Sequence, residues 1–589
     1  MSRTPSGLEP SRRTFVVMLA AILLLGGLFR LLFPTADPPW RTTVGIVWHD
    51  EGAWVHNARN KALFGEWRLD EWNPMYVAPV FSAFEYGAFK AFGVGLWQAR
   101  LVSEIGGCLT VLWLGLALAR AGGRSTGLWG AALLSTNYVF VMWNRVALLE
   151  TTMVMFLVAG LYCYARALES PRWGVAAGLC AWLAFFSKAA AAFFLPALAL
   201  AAVWPWVVQW SALRVTTEEA DREREAGIYT LVGLVAGALI GFIVYVLPNW
   251  NEFFFYNWQM SVTRKPAYTA RALLDRLSWF PVLHDTFTRM FLVVVVATTA
   301  CVAAFARWRT LPGVDRLLFA WVGVGSAELV IHDVGNERRF VMLIPALCAL
   351  AALAICRDRR VLPEATAAVP RRVGAMFAPV LLYAAYVVAA PLGRLPFLYR
   401  VRPAVWLSAS VAAIAVLALL TYWPRIVRAL AGARLSADGV WLLLAVVMAG
   451  DIAQFAQWAA GRTYLNYEAA RAVADRLPPG TLVHGKLANG LSLESRIKPV
   501  FVGRNFGNYA DRLQRPDVAY VLTYISPEVG YEGPVINDVL EALPTNRVLW
   551  TAPVAETTCG CDAVALIAKE VTPATQQQPA LSTAGLPRE

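Results

Sequence analysis

The 589-residue sequence is 58% hydrophobic and only 16% charged, with a mean hydropathy of +0.51. That balance excludes a soluble globular protein and calls for lipid as the solvent. Its net charge of +12 is spread over short basic clusters between apolar runs, which excludes a basic nucleic-acid-binding domain and assigns the charge to membrane topology.

In chain order, a basic stretch over residues 1–13 leads into an apolar run from Thr14 to Phe33, enough for the about 20 residues that cross the hydrocarbon core as a helix. Arg30 and Leu31 stand where a cleavable signal would carry small residues, so this reads as an uncleaved first span. Residues 34–97, rich in acid and Trp, form a long first loop. Further spans are predicted near 98–119, 125–142, 150–167, 173–187, 190–208, 228–247, 290–306, 315–331, 340–356, 374–391, 403–421 and 439–457, about thirteen in all. The pair flanking Lys188 reads equally as one kinked unit. Runs of this length are helices and not the short alternating strands of a barrel, so residues 14–458 are predicted to be an all-α polytopic membrane domain.

Lys and Arg recur in alternate short loops, among them Arg12 with Arg13, Arg120 with Arg124, and Arg357 to Arg360. This places the N-terminus in the cytoplasm. Residues 34–97, Pro248 to Arg289 and the C-terminal tail are then predicted outside, in a multi-pass protein of the cell (inner or plasma) membrane.

The tail differs in kind. Over residues 462–570 the apolar runs shorten to strand length at Thr481–His484, Val500–Val502, Ala519–Tyr524, Arg547–Trp550 and Ala563–Ala568, with helical periodicity at Tyr467–Leu477. A small soluble α/β domain is expected, followed by a polar, Pro-rich, disordered end at 571–589. Cys559 and Cys561 fall in this tail, and a lone Cys-Gly-Cys is a weak signal for metal or for a strained bridge.

Candidate chemistry gathers at the outer surface. Asp50 and Glu51 open an amphipathic stretch of the first loop; a carboxylate pair there suits a general base, and Asp50 suits a helix N-cap equally well. Glu150 stands at the outer end of a span, where an ionisable group is costly and a functional role is the default, with Arg145 as its expected neighbour. Five residues on one helix would turn the two roughly 140° apart, so a direct pair requires the helix to start between them. Arg338 and Arg339, at the mouth of a span interrupted by Pro345, suit either a lipid phosphate or interfacial anchoring. Lys188 adds positive charge on the same side. Glu328 and His332 share a helix face, and His49, His56 and His284 also fall outside, but scattered histidines make no ligand motif. The aromatic run Asn249 to Trp258 fits an interfacial belt or a sugar groove.

Taken in order, Asp50-Glu51, Gly65-Glu66-Trp67, Arg145 with Glu150, Ser187-Lys188 and Arg339-Phe340 ahead of Pro345 resemble the polyprenyl-phosphate-sugar-dependent GT-C glycosyltransferases. That group holds the protein O-mannosyltransferases and the lipid A aminoarabinose transferases. The resemblance covers most of the chain and implies a GT-C membrane fold. It implies Asp50 as catalytic base, with Glu51 and Glu150 as further acidic site residues. Arg338, Arg339, Lys188 and Arg145 are the expected donor-phosphate ligands, where they would steady the charge growing on the departing phosphate.

The implied reaction moves a hexosyl or pentosyl group from a polyprenyl-phosphate-sugar donor to a hydroxyl of a protein, lipid or glycan acceptor, with inversion, on the extracytoplasmic face. No cofactor is required by the sequence, and a divalent metal is left open. Tyr76-Val77-Ala78-Pro79 stands where the family often carries Glu-Lys-Pro-Pro, a departure that argues against a lipid A type acceptor and leaves Glu85 without a role. A secondary transporter, whose carboxylates sit near the midplane on broken helices, and a noncatalytic scaffold are the alternatives.

Overall fold

The computed structural model describes residues 9–39, 50–211, 218–258, 268–283, 285–306, 308–332, 337–358, 437–500, 517–525, 546–555 and 563–569. The predicted spans near 374–391 and 403–421, His49, His284, Cys559, Cys561 and residues 571–589 lie outside them. The chain divides into two compact units.

The first unit comprises Met1–Leu32, Glu104–Asn144 and Glu150–Ala460 and is helical throughout its described residues. Its helices are α1 (Arg12–Leu31), most of a long α4 (Leu96–Gly122), α5 (Arg124–Thr136), α6 (Tyr138–Asn144), α7 (Leu149–Ala167), α8 (Trp173–Ser187), α9 (Phe194–Ser211) and α10 (Glu218–Gly241). They continue with α11 (Trp250–Trp258), α12 (Ala270–Leu283), α13 (Asp285–Arg289), α14 (Phe291–Ala306), α15 (Gly313–His332), α16 (Ile344–Asp358) and α17 (Ala437–Ala460). Ser11 starts α1 by accepting the Thr14 N–H on its hydroxyl at 3.1 Å, the usual repair of an orphan donor at a helix start.

Among the described residues five stretches are long and apolar enough to cross a membrane: Arg12–Leu31, Leu96–Gly122, Ala189–Val207, Ala220–Trp258 and Asp438–Arg476. The α6–α7 pair, bent by 117°, adds a sixth if it counts as one broken span, and Trp173–Ser187, Phe291–Phe305 and Ile344–Cys356 are shorter apolar helices. The molecule is a multi-pass helical membrane protein. Because lipid tails are as apolar as Leu, membrane helices gain little from hydrophobic burial and rely on close approach through small residues. The α8 and α10 helices use that device: a Cβ on Gly178 would lie 2.3 Å from the Leu234 nitrogen, and one on Gly233 2.4 Å from the Val175 oxygen.

The second unit comprises Phe33–Ser103, Arg145–Leu149 and Gly461–Glu589. From the first loop it takes α2 (Asp50–Phe64) and α3 (Pro79–Phe92), and from the tail α18 (Leu465–Arg476), α19 (Lys486–Gly490) and, among the described residues, five strands. The strands β1 (Leu482–His484), β2 (Lys498–Val500), β3 (Tyr520–Tyr524), β4 (Arg547–Pro553) and β5 (Ala563–Ala568) form one sheet in the order β2-β1-β3-β5-β4. Here β1 runs parallel to β2 and β3, and β5 antiparallel to β3 and β4. Val473, Leu477, Val483, Leu487, Leu522, Trp550 and Leu566 build its core.

A smaller core joins Val55 and Ala58 of α2, Phe81 and Phe89 of α3, Ala99, Ala147 and Leu493. The α2 helix is buried on all sides from Asp50 to Asn60 except at Trp54, where an amphipathic helix was expected.

Candidate active site

Asp50 is the first residue of α2, so both carboxylates of the Asp50-Glu51 pair lie in a first helical turn, where the helix dipole favours negative charge. Both are buried. Glu51 meets Arg100 of α4 in a two-pronged ion pair, Nε to Oε1 at 2.8 Å and Nη2 to Oε2 at 2.7 Å. The Ala147 N–H donates to the same Oε1 at 2.8 Å, and Arg100 Nη1 donates to the carbonyls of Pro34 and Ala36 at 2.9 and 2.7 Å. Glu51 therefore pins α2, the start of the first loop and the 145–149 segment together. A charge buried this deeply needs such a set of partners, since an unpaired one would cost several kcal/mol.

Arg145 lies in that same segment and donates from Nη2 to the Phe33 carbonyl at 2.8 Å. The helix does restart between Arg145 and Glu150, because α6 ends at Asn144 and α7 opens at Leu149. Glu85, on α3, is fully buried between Phe81 and Phe89, one turn away on either side. Neither of its oxygens has a hydrogen-bond partner among the described residues. Burial first, and the negative charge of Glu51 second, push its carboxyl well above the usual carboxylate range.

A second cluster lies within the helical unit. Glu150, in the first turn of α7, is 1% exposed; its Oε1 takes the Lys188 ammonium and, at 3.4 Å, the Nε of Arg338. Lys188 sits at the break between α8 and a 3-10 turn, Ala189–Phe193, so the two apolar runs around it are separate elements in which Lys188 is extended. Arg338 and Arg339 occupy another 3-10 turn, Glu337–Met342. Arg339 donates to the carbonyl of His332 at the end of α15. Arg276 of α12 reaches the neighbouring carbonyls of Val330 and Ile331 at 2.9 and 3.2 Å. Two guanidiniums thus meet the negative end of one helix dipole. Beside them His332 Nδ1 lies 3.2 Å from Glu328 Oε1. No group of three or more His, Cys, Asp or Glu is placed to hold a metal ion among the described residues.

The structure thus gathers Glu51 and Arg145 in one unit with Asp50, and Glu150, Lys188, Arg338 and Arg339 in the other. Sequence reading missed Arg100. The signal was present in principle: a buried Glu51 demands a cation, and an arginine in the opening turns of a span is a natural source.

A polytopic helical domain, an acidic first loop and a small terminal sheet together give the described residues the fold of the GT-C membrane glycosyltransferases. Residues 76–216 match the model of the family described as dolichyl-phosphate-mannose-protein mannosyltransferase, a stretch that includes Arg100, Arg145, Glu150 and Lys188. Among solved structures the chain is similar to ArnT from Cupriavidus metallidurans in the apo state, with 18% identity and a TM-score of 0.52 over 94% of this chain and 97% of that one. The same protein bound to undecaprenyl phosphate gives 17% identity and a TM-score of 0.52 over 95% and 98%. The oligosaccharyltransferase of Archaeoglobus fulgidus in the apo form gives 14% identity and a TM-score of 0.46 over 90% of this chain and 71% of that one. No curated protein matches the chain in sequence.

Proposed function

We propose that this protein is a polyprenyl-phosphate-dependent membrane glycosyltransferase that acts on the extracytoplasmic face with Asp50 as general base. The observation that carries the reading is the fixed pairing of Glu51 with Arg100. It anchors the neighbour of Asp50 in the first turn of α2 and supports a structural role for Glu51, with the chemical role proposed for Asp50. The fold of a protein solved with undecaprenyl phosphate bound and the mannosyltransferase family match support the donor class.

In the step proposed, Asp50 takes the proton of an acceptor hydroxyl as its oxygen bonds to the anomeric carbon. The bond from that carbon to the phosphate oxygen breaks on the opposite side, and polyprenyl phosphate leaves with the electron pair. One displacement inverts the anomeric centre. Lys188, Arg338 and Arg339 supply positive charge for the phosphate, with Glu150 holding Lys188 and Arg338 in place, because preset charge stabilises a transition state without reorganisation. Arg145, which donates to the Phe33 carbonyl, is proposed as a further positive group for the phosphate.

Mass-spectrometric comparison of glycans and glycolipids from cells with and without the gene tests the reading directly. A glycan or glycolipid should lose one sugar in the deletion strain. Complete identity of the two profiles, with the protein verified in the parent, would overturn it in favour of a transporter or scaffold.

A further inference from the structure

We infer that the C-terminal α/β segment is part of the catalytic framework, and that Asn489 is a positioning residue for Asp50 acting through the first turns of α2. The inference rests on the proposed role of Asp50 as base.

The contact begins two residues from Asp50. A Cβ on Gly52 would lie 1.8 Å from the carbonyl oxygen of Asn489 and 2.5 Å from its carbon, so the main chain of the tail rests directly on the main chain of the first turn of α2. Only glycine permits that approach. One turn further along, the Asn489 amide nitrogen lies 2.8 Å from Nδ1 of His56, and Nε2 of His56 lies 2.9 Å from Asp70 and 3.0 Å from Asn60.

The Asn489 amide at Nδ1 and the Asp70 carboxylate at Nε2 thus hold the imidazole by its two ring nitrogens. His56 and Asn489 are both fully buried. Another turn on, the Arg59 guanidinium, also fully buried, donates to the carbonyls of Ser492, Ser495 and Ile497 at 3.0, 2.9 and 2.9 Å.

Residues 52, 56 and 59 follow the four- and three-residue spacing of one helix face, and along that whole face α2 meets residues 489–497 of the tail. Glu51 lies about 100° around the helix, with its own grip on Arg100 and Ala147. The first turn is thus held from two directions. A helix terminus is ordinarily the part of a helix that frays, and a carboxylate carried on a frayed turn has no fixed position. The tail removes that freedom where Asp50 sits.

The burial of Arg59 shows how far the sequence commits to this arrangement. Its charge is matched by tail carbonyls, and burial pulls the guanidinium down to about 9. A face kept for solubility or acceptor access alone has no need of a buried guanidinium inside it.

The test uses the full-length protein in detergent and two variants. Gly52→Ala places a methyl group against the Asn489 carbonyl, and Asn489→Ala removes the bond to His56 while leaving the main-chain contact. Three quantities are measured: the thermal midpoint, the binding of undecaprenyl phosphate, and initial turnover of polyprenyl-phosphate-sugar lipids extracted from the source cells. A misplacement on the scale of 1 Å costs about 10²-fold in rate. Gly52→Ala is therefore expected to lose about that factor in kcat while it binds undecaprenyl phosphate as the wild type does, with Asn489→Ala falling between the two.

Wild-type kcat in folded Gly52→Ala, or an equal fall of kcat and affinity, would overturn the inference. If Gly52→Ala does not fold, Asn489→Ala decides by the same two readings. Absence of turnover in the wild type strikes the functional reading itself, whereas equal turnover in wild type and both variants overturns this inference and leaves that reading standing.

Discussion

Arg100 and Glu51 form a buried fork-to-fork ion pair, both of its bonds under 3 Å, with side-chain exposures of 2% and 4%. Removing one partner of such a pair strands the other charge in a medium that cannot solvate it, at a cost of about 3–5 kcal/mol. Arg100→Ala is accordingly expected to lower the thermal midpoint steeply, and Arg100→Lys, which lacks the planar fork, to recover part of that loss. A midpoint unchanged in Arg100→Ala would show that the pair is not what holds α2.

At Asp50 the helix-cap and general-base readings separate, because Asn caps a helix about as well as Asp but accepts no proton. Purified Asp50→Asn should keep its thermal midpoint and its undecaprenyl phosphate affinity and lose turnover by about 10² to 10⁴-fold. Near-normal turnover would leave Asp50 as a cap and return attention to Glu51 and Glu150.

The two arginines of the Glu337–Met342 turn are expected to differ. Arg339 is engaged with the end of α15, whereas Arg338 shares Glu150 with Lys188. A charge-assisted hydrogen bond is worth about 1.5–3 kcal/mol, so Arg338→Ala should weaken undecaprenyl phosphate binding by roughly 10- to 100-fold and Arg339→Ala less. Titration of the detergent-solubilised variants with undecaprenyl phosphate measures both. Unchanged affinity in the Arg338→Ala/Arg339→Ala double variant would restore the interfacial-anchor role to the pair.

Glu85 gives a pH dependence with a definite sign. Its folded-state pKa is raised, so between the unfolded and folded values the folded chain binds more protons, and stability falls as pH rises through that window. Below the ordinary glutamate range the contribution is fully present. Glu85→Gln mimics the neutral acid at every pH and should therefore be more stable than the wild type on the alkaline side. Thermal midpoints of the two proteins recorded from pH 5 to 9 should diverge upward; parallel curves would mean that Glu85 is ionised in the folded chain.

Much of the fold could be read from local pattern. The strand-length runs of the tail became β1, β3, β4 and β5 with no limit more than three residues from the expected one, β2 opened two residues early, and Tyr467–Leu477 became Leu465–Arg476. Period-2 and period-3.6 patterns are local, and local pattern survives tertiary context when both agree.

Partnership is not local. Arg100 follows Glu51 by 49 residues and Lys188 follows Glu150 by 38, and nothing in either stretch of sequence names the other. The reading of α2 as amphipathic failed for a related reason: its polar residues His56, Asn57, Arg59 and Asn60 look like a wet face until the loops and tail that bond them are in place.

The composition of the second unit bears on how the protein is made. Its three pieces, Phe33–Ser103, Arg145–Leu149 and Gly461–Glu589, leave the ribosome far apart in time, and Arg59 waits 438 residues for the carbonyl of Ile497. Contacts of such long sequence range close late, after their loop entropy has been overcome. A nascent chain thus carries its carboxylate helix for most of synthesis without the parts that complete it. On the proposed function, transfer activity would switch on only when the last segment arrives, so a chain cut short within the tail would sit in the membrane inert, unable to spend donor lipid.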